Sequence, residues 1–139
     1  MQCQKGEIMA KVLNYGMVGG GPDAFIGDAH RRAISLDESA RLVAGVFSRN
    51  AEKSKKMGEV LHIEEERCYK DYETMALEEA KREDGIDFVV VVTPNASHYE
   101  ICKAFLNAGI HVVCDKPVTT TYEKAVELQK LAEEKSLLF

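Results

Sequence analysis

A chain of 139 residues is long enough to bury one hydrophobic core, and its 45% hydrophobic and 29% charged residues are ordinary for a globular protein. The net charge of −5, without a long basic run, argues against nucleic acid or a membrane surface as a partner, and no apolar run approaches the roughly 20 residues of a membrane helix. The four cysteines are scattered without a Cys-x-x-Cys pair, which argues against a zinc site or a disulfide framework and predicts a reduced, cytoplasmic protein.

The elements begin after a short leader, because residues 1–10 lack the apolar stretch of a signal peptide and are predicted to be disordered or extended. Six apolar runs then alternate with helical patterns along a single domain, residues 11–139. Continuous β-branched runs are typical of strands buried on both faces, and therefore of a parallel sheet. The predicted strands are 12–18, 42–47, 67–69, 88–92, 110–114 and 137–139.

The segments between these runs carry the spacing and the end signals of amphipathic helices. Apolar residues after Ser97 recur every three or four positions, and Gly109 stands where a C-terminal cap belongs. The alternation of strand and helix predicts a doubly wound α/β domain of the Rossmann type, with a mostly parallel sheet in the order 3-2-1-4-5-6 and helices on both faces. The predicted N-terminal caps are Asn50, Asp71, a capping box from Ser97 to Glu100 and another from Thr120 to Glu123.

A glycine-rich turn directly follows the first predicted strand and fits the pattern G-x-G-x-x-G/A, with Ala24 in the last place. A chain that turns tightly beside a pyrophosphate needs positions without a Cβ, and the following helix offers free N–H groups and the positive end of its dipole. Two alternatives stay open: Gly27 as the close-packing residue of a longer turn, and a glycine-rich turn without any ligand. The predicted cofactor-binding residues here are Gly19, Gly20, Gly21, Ala24, Phe25 and Ile26.

The end of the second predicted strand carries Ser48 and Arg49, where an NAD site usually has an acidic residue for the ribose 2′-hydroxyl. An arginine pairs with a 2′-phosphate and stacks on adenine, and a serine donates a hydrogen bond to the phosphate. Both residues are therefore predicted to bind the cofactor, with NADP preferred to NAD. The alternative is that Arg49 is a solvated surface residue beside a helix cap.

Two further motifs follow the fourth and fifth predicted strands, at the sheet edge where open α/β sheets bind ligands. They are Thr93-Pro94-Asn95-x-x-His98 and Asp115-Lys116-Pro117. These motifs resemble the Gfo/Idh/MocA family of oxidoreductases when they are taken together with Gly16-Met17-Val18-Gly19-Gly20-Gly21, Ala24-Phe25-Ile26-Gly27 and His30-Arg31. The resemblance runs over residues 11–139 and depends on all the motifs occurring in order on the expected elements.

The resemblance implies a role for each of the two loops. In the family, the first loop lies along the cofactor and the second places its lysine near the nicotinamide and the substrate. The residues implied to bind the cofactor are Thr93, Pro94, Asn95, His98, Asp115, Lys116 and Pro117. Lys116 is also implied to be catalytic, since a lysine there can hydrogen-bond the ribose or polarise a substrate oxygen.

Four residues of these loops carry a departure from the family pattern, a predicted cis bond or a plainer alternative. Asp115 stands where the family usually has glutamate, which keeps the negative charge. Pro117 is predicted to follow a cis peptide bond, as some tight turns do. The alternative for Lys116 is an ordinary exposed lysine, and for His98 a polar residue in the first turn of a helix.

Members of this family carry a second α/β domain with the substrate pocket, the oligomer contacts and a distal Asp-x-x-x-His motif, and this sequence lacks that motif. We therefore expect residues 11–139 to be the dinucleotide-binding domain of a truncated chain, which binds a dinucleotide without turnover. A small-molecule substrate and any homo-oligomer are expected to require the missing domain. Nucleic acid and membrane are not expected partners, and the histidines show no metal-binding spacing.

The function implied by the resemblance is an NAD(P)-dependent oxidoreductase that transfers hydride to or from a sugar-like or cyclitol-like substrate. Two alternatives stay open, because fold analogy alone does not choose among them. The first is a dinucleotide-sensing module without catalysis. The second is an NAD-dependent glycoside hydrolase of the same family, in which redox is transient.

Overall fold

Strands and helices alternate along residues 11–139, which are the residues that the computed structural model describes. The predicted leader, residues 1–10, lies outside them. The strands are β1 Leu13–Gly19, β2 Ala40–Val46, β3 Phe88–Val92 and β4 His111–Cys114. The helices are α1 Phe25–Ser35, α2 Ala51–Val60, α3 Tyr72–Lys81, α4 His98–Asn107 and α5 Tyr122–Glu134, with short 3-10 turns at Glu65–Arg67 and Asn95–Ser97. Within this part of the chain, no helix has both the length and the apolar character needed to cross a membrane.

The four strands form one parallel sheet in the order β2-β1-β3-β4. Met17 of β1 pairs with Gly45 of β2 on one side and with Val90 of β3 on the other. The chain therefore runs outward from β1 in one direction, crosses back, and runs outward in the other direction. Sheets of this kind bind ligands at the carboxyl ends of the two strands where the direction reverses, which are β1 and β3 here. The predicted doubly wound parallel class is confirmed.

Two of the six predicted strands are not strands in the structure, namely 67–69 and 137–139. Cys68 makes an isolated parallel bridge to Gly45 beside β2, and the Val112 N–H of β4 donates to the Leu138 carbonyl at 3.0 Å. Both segments lie at the sheet edges where the predicted order 3-2-1-4-5-6 puts them, but each makes too few backbone bonds for a ladder. The first is also interrupted by a 3-10 turn that ends at Arg67, whose side chain enters a buried ion pair.

The sheet is buried on both faces because successive residues of each strand point to opposite sides. In β3, Val89 and Val91 belong to one apolar cluster, whereas Val90 and Val92 belong to the other. Helices α3, α4 and α5 cover the first side, and α1 and α2 cover the second. The helical residues in these two clusters include Met75, Phe105 and Leu128 on the first side, and Ile26 and Met57 on the second.

Three of the predicted helix-end signals are confirmed. The Asn50 side chain accepts a hydrogen bond from the Lys53 N–H, and the Asp71 carboxylate accepts one from the Thr74 N–H. Each bond satisfies a backbone donor that the first turn of a helix leaves free. Gly109 follows α4 with a φ of +84°, the left-handed conformation that ends a helix at glycine.

The two predicted capping boxes are wrong in detail. Thr121, rather than Thr120, caps α5, because Thr121 has the extended backbone that a capping residue needs. Ser97 precedes α4 but has a helical backbone, since the chain already turns through Asn95–Ser97. Its hydroxyl donates to the Pro94 carbonyl and lies 2.8 Å from the Thr93 hydroxyl oxygen instead of capping the helix.

A buried ion pair holds the segment between β2 and β3. The side chains of Arg67 and Glu79 are 5% and 0% exposed, and Arg67 Nε donates to Glu79 Oε1 at 3.0 Å. Glu79 also accepts hydrogen bonds from the Tyr69 hydroxyl at 2.8 Å and from the Ile86 N–H at 3.2 Å. Burial and this bond to Glu79 raise the pKa of Tyr69. Both buried charges are therefore fully partnered, which is the condition for keeping them inside a protein.

We expect Glu79→Gln to lower the free energy of unfolding by about 3 kcal/mol, because it removes the buried counter-charge of the Arg67 guanidinium and leaves only the exposed Asp84 carboxylate at 3.4 Å. Urea denaturation measures this change. Glu78→Gln is the matched control, since Glu78 pairs with Lys81 on the exposed side of the same helix, and we expect a change within about 0.5 kcal/mol. An equal loss of stability in both variants would contradict a special role for the buried pair.

Candidate functional site: a cleft at the carboxyl edge of the sheet

The glycine turn between β1 and α1 is built on positions that leave no room for a side chain. Gly19 and Gly20 have φ values of +92° and +72°, in the left-handed region that favours glycine. A Cβ on Gly19 would lie 2.8 Å from the Val92 carbonyl oxygen, and one on Gly21 would lie 2.6 Å from the Phe47 carbonyl oxygen. The turn is thus wedged between the ends of β3 and β2.

The turn meets α1 at Gly27 rather than at Ala24. A Cβ on Gly27 would overlap the Cα of Gly20, so the first turn of the helix packs directly on the glycine backbone. Ala24 instead precedes the helix, and its N–H donates to the Gly21 carbonyl at 3.0 Å. The assignment of Ala24 to the close-packing place is therefore wrong, and the alternative with Gly27 is confirmed. The reason is that the turn continues through Ala24, which delays the helix to Phe25.

Phe25 and Ile26 lie outside the cleft that the turn opens into. The Phe25 side chain is 85% exposed, and Ile26 packs on the sheet face that carries Tyr15 and Met17. The N–H groups of the first turn of a helix have no acceptor within the helix. If Phe25 and Ile26 contact a phosphate as predicted, they do so through their backbone N–H groups and not through their side chains.

Arg31 supports the glycine turn from the α1 side. Its Nη1 donates to the Gly20 carbonyl at 3.0 Å and lies 3.4 Å from the Met17 sulfur. This places a fixed positive charge against the backbone of the turn. Arg31 was not among the site residues predicted from the sequence. The available signal was its place four residues after Gly27, on the same face of the helix.

A cleft of about 660 Å³ opens at the carboxyl ends of β1, β2 and β3, which is a size typical of small-molecule sites. Its walls are the glycine turn, the end of β2, the start of α3 and the loop after β3. The predicted site residues that line it are Gly19, Gly20, Gly21, Ala24, Ser48, Arg49, Thr93 and Pro94. Those outside its lining are Phe25, Ile26, Asn95, His98, Asp115, Lys116 and Pro117.

The segment after β2 and the first turn of α2 each bring a cationic side chain to the mouth of the cleft. Arg49 is exposed in the cleft wall beside Ser48. Lys53 of α2 lines the same wall, with its Nζ 3.4 Å from Asp23 Oδ2 of the glycine turn. Lys53 was not among the site residues predicted from the sequence, although it stands in the first turn of the helix that Asn50 caps.

The start of α3 forms the facing wall of the cleft and presents an aromatic ring. Tyr72 is half-buried there, and burial together with a hydrogen bond to Glu73 raises its pKa to about 12. The ring therefore stays a neutral phenol near neutral pH. Asp71 next to it is held by its capping bond to Thr74, which lowers the pKa of the carboxyl. This wall offers a flat apolar surface to a planar ligand.

His98 joins the loop after β3 to the loop after β4. It is 1% exposed, with Nε2 2.8 Å from the Thr93 carbonyl oxygen and Nδ1 2.8 Å from the Pro117 carbonyl oxygen. Its ring therefore lies behind the cleft wall and positions both loops. Asn95 is exposed in the 3-10 turn of the first loop.

The loop after β4 lies at the same edge of the sheet as the cleft, one strand farther along. The Asp115 N–H donates to the Val91 carbonyl at 3.0 Å, and His30 Nε2 of α1 lies 3.8 Å from Asp115 Oδ1. Lys116 is exposed, and the predicted cis peptide bond before Pro117 is confirmed. Among residues 11–139, no three histidine, cysteine or acidic side chains are grouped so as to hold a metal ion.

Comparisons with known proteins agree with the fold. A family model described as an oxidoreductase family with an NAD-binding Rossmann fold matches residues 13–139. An uncharacterized oxidoreductase of Bacillus subtilis (strain 168) is 48% identical over 129 residues, which are 92% of this chain and 33% of the relative. A scyllo-inositol 2-dehydrogenase (NADP(+)) of the same strain is 44% identical over 62 residues, which are 45% of this chain and 17% of that protein.

A solved structure extends the similarity to three dimensions. The inositol dehydrogenase homolog complexed with NAD+ from Azotobacter vinelandii has a TM-score of 0.89 and 42% sequence identity to this chain. The match covers 92% of this chain and 33% of that protein. These matches cover almost the whole of this chain. The chain thus spans about a third of the length of these relatives.

We expect Gly27→Ala to push α1 away from the glycine turn and to weaken dinucleotide binding at least about tenfold, or 1.4 kcal/mol. Titration calorimetry with NADH and NADPH measures the affinity. Gly109→Ala is the control, because it also adds a Cβ to a glycine but no atom lies within 4 Å of that Cβ, while its positive φ alone strains the backbone. The control is expected to lose about 1 kcal/mol of stability and to keep its affinity. An unchanged affinity in Gly27→Ala would contradict the role of this contact.

Proposed function

This chain belongs to the Gfo/Idh/MocA family of oxidoreductases, and on that premise we propose that the whole protein transfers hydride between a nicotinamide dinucleotide and a sugar-like or cyclitol-like substrate. The substrate class is supported by the scyllo-inositol dehydrogenase and the inositol dehydrogenase homolog among its relatives. The dinucleotide is proposed to bind in the cleft of this domain. Residues 11–139 by themselves are proposed to bind it without turnover, and the protein is proposed to act in the cytoplasm.

The single observation that carries the proposal is the glycine turn at the cleft floor. Its backbone is exposed to the cleft at Gly19 and Gly21, while a Cβ at either position would collide with a neighbouring strand. The N-terminus of α1 follows directly, and its free N–H groups and dipole favour a phosphate group. Arg31 adds a positive charge through its bond to the Gly20 carbonyl. A pyrophosphate fits this combination of close backbone approach and positive potential.

The adenosine end of the dinucleotide is proposed to lie between the end of β2 and the start of α3. Tyr72 offers its ring as a surface for adenine, and Ser48, Arg49 and Lys53 surround the place of the ribose 2′-position. The end of β2 has no acidic residue to accept a hydrogen bond from a 2′-hydroxyl. Two cations and a hydroxyl instead suit a 2′-phosphate, which supports NADP as the preferred cofactor.

Lys53 has a second effect on the electrostatics of the cleft. Its ammonium group lies 3.4 Å from the Asp23 carboxylate, the acidic group of the glycine turn. An unneutralised carboxylate there would repel the phosphates of the ligand. Both side chains are exposed, so their mutual attraction is weak and Lys53 can turn to a bound phosphate at little cost.

The nicotinamide end is proposed to pass Thr93 and Pro94 toward the loop after β4. The nicotinamide ring supplies or accepts the hydride once it is bound. Lys116 is proposed to donate a hydrogen bond to the cofactor ribose or to a substrate oxygen, which stabilises negative charge developing on that oxygen. The His98 ring lies between the two loops, with its ring nitrogens 2.8 Å from the Thr93 and Pro117 carbonyl oxygens, and it acts as a positioning residue.

Titration calorimetry on the 139-residue chain tests the cofactor assignment. We expect binding of NADPH in preference to NADH, and we expect Arg49→Ala to weaken NADPH binding about tenfold, or 1.4 kcal/mol, with a much smaller loss for NADH. Lys53→Ala is expected to weaken both, because it also leaves Asp23 unneutralised beside the phosphates, but NADPH more than NADH. Lys56→Ala is the matched control, since Lys56 is exposed on the same helix and does not line the cleft. Equal losses for the two cofactors would contradict the NADP preference. No binding of either cofactor at millimolar concentration would contradict the dinucleotide site itself.

A ligand that lacks the nicotinamide tests the proposed place of Lys116. We expect Lys116→Ala to weaken NADPH binding at least about threefold, or roughly 0.7 kcal/mol, and to leave the affinity for 2′-phospho-ADP-ribose unchanged. Calorimetry with both ligands measures the difference. Lys130→Ala, an exposed lysine of α5, is expected to change neither affinity. A loss that is equal for the two ligands would place Lys116 away from the nicotinamide.

A further inference from the structure

The His98 ring, which is 1% exposed, lies between two hydrogen-bond acceptors. Its Nε2 is 2.8 Å from the Thr93 carbonyl oxygen, and its Nδ1 is 2.8 Å from the Pro117 carbonyl oxygen. A carbonyl oxygen only accepts hydrogen bonds, and a neutral imidazole carries an N–H on just one of its two nitrogens. Both contacts are therefore hydrogen bonds only when the ring is the doubly protonated imidazolium.

We infer that His98 positions both loops only as an imidazolium cation, so that one buried proton couples the loop after β3 to the loop after β4. This role rests on the proposed dinucleotide site, because the two loops carry Thr93 and Lys116. When the ring loses a proton, one nitrogen keeps a lone pair that faces a carbonyl oxygen at 2.8 Å. Two acceptors at this distance repel each other, so one of the two loops is released from the ring.

Opposing effects act on the charge of this ring. Burial favours the neutral form, and so does the positive end of the α4 dipole, because His98 is the first residue of that helix. The two carbonyl oxygens favour the cation, since hydrogen bonds from a charged donor are roughly twice as strong as neutral ones. The two carbonyls are thus the groups that stabilise the proton.

Ionisable side chains on the neighbouring elements are not bonded to the ring. On α4 itself, Glu100 is exposed, and Cys102 is a buried thiol one turn after His98. The others are His30 of α1, Tyr72 of α3, Asp115 and Lys116 of the loop after β4, and Lys124 of α5. Within residues 11–139, none of them makes a hydrogen bond or an ion pair with the His98 ring. His30, with its Nε2 3.8 Å from Asp115 Oδ1, is the other histidine whose charge acts on this loop.

NMR spectroscopy of the 139-residue chain measures the proton directly and without a ligand. Long-range 1H–15N spectra distinguish an imidazolium, whose two nitrogens both carry a proton, from a neutral ring with one bare nitrogen. We expect His98 to be doubly protonated at the acidic end of the range, about pH 5 to 8, over which histidines titrate. The carbonyl carbons of Thr93 and Pro117 are expected to change as the ring loses a proton, and not to follow the exposed His62. A His98 ring that stays neutral wherever the domain is folded would overturn the inference.

Calorimetry then connects the proton to the cofactor. The cation is the form that holds both loops, so its effect is present at low pH and is lost as the pH rises through the titration of His98. We expect the affinity for NADPH, relative to that for 2′-phospho-ADP-ribose, to fall at least about threefold over this titration, which is the loss expected for Lys116→Ala. The ionisation of the 2′-phosphate affects both ligands and cancels in the ratio.

Two matched variants assign the pH profile to one histidine. We expect His98→Gln to lower the affinity ratio at low pH and to make it independent of pH, and we expect His30→Gln to keep the profile of the parent chain. A flat ratio in the parent while His98 titrates, or a profile that His30→Gln removes, overturns the inference. If neither ligand binds, the dinucleotide site is refuted, and the NMR titration still decides the charge of the ring. That titration uses the parent chain, so a variant that fails to fold leaves the test intact.

Discussion

One close backbone contact underlies the arrangement of this domain. Gly27 of α1 packs on Gly20 without a side chain between them, while Gly19 and Gly21 lie against the ends of β3 and β2. The contact brings the N-terminus of α1 to the carboxyl edge of the sheet, between the two strands at which the chain reverses direction. It therefore determines where the free N–H groups of the helix point, and with them the place where the domain can hold an anion.

The side chains that hold the candidate site lie one layer behind those that line it. Arg31 bonds to the backbone of the glycine turn, and the buried His98 bonds to both of the later loops. His30 adds a contact between α1 and Asp115. The residues in front of them, such as Arg49, are exposed and free to adapt to a ligand. Loops that are fixed from behind can present flexible side chains at constant positions, which is what recognition of an extended ligand requires.

The charge around the cleft is positive, whereas the net charge of the whole chain is negative. The net charge is −5, yet Arg31, Arg49 and Lys53 stand around the place proposed for phosphates. The buried Arg67–Glu79 pair, by contrast, is satisfied within the domain and contributes to the order of the segment between β2 and β3. Composition alone, which sums these groups, does not separate a cationic site from a structural pair.

The sequence by itself determined the fold class, the four strands of the sheet, the caps at Asn50 and Asp71, and the family. These features depend on local periodicity, on bonds between residues three positions apart, or on motifs that stand in order along the chain. Tertiary structure decided the remainder. It assigned the close contact to Gly27 instead of Ala24, buried His98 behind two loops, and left 67–69 and 137–139 outside the sheet. Each of these outcomes depends on a neighbour from another element, and the spacing of residues along the chain does not reveal which atoms such packing brings together.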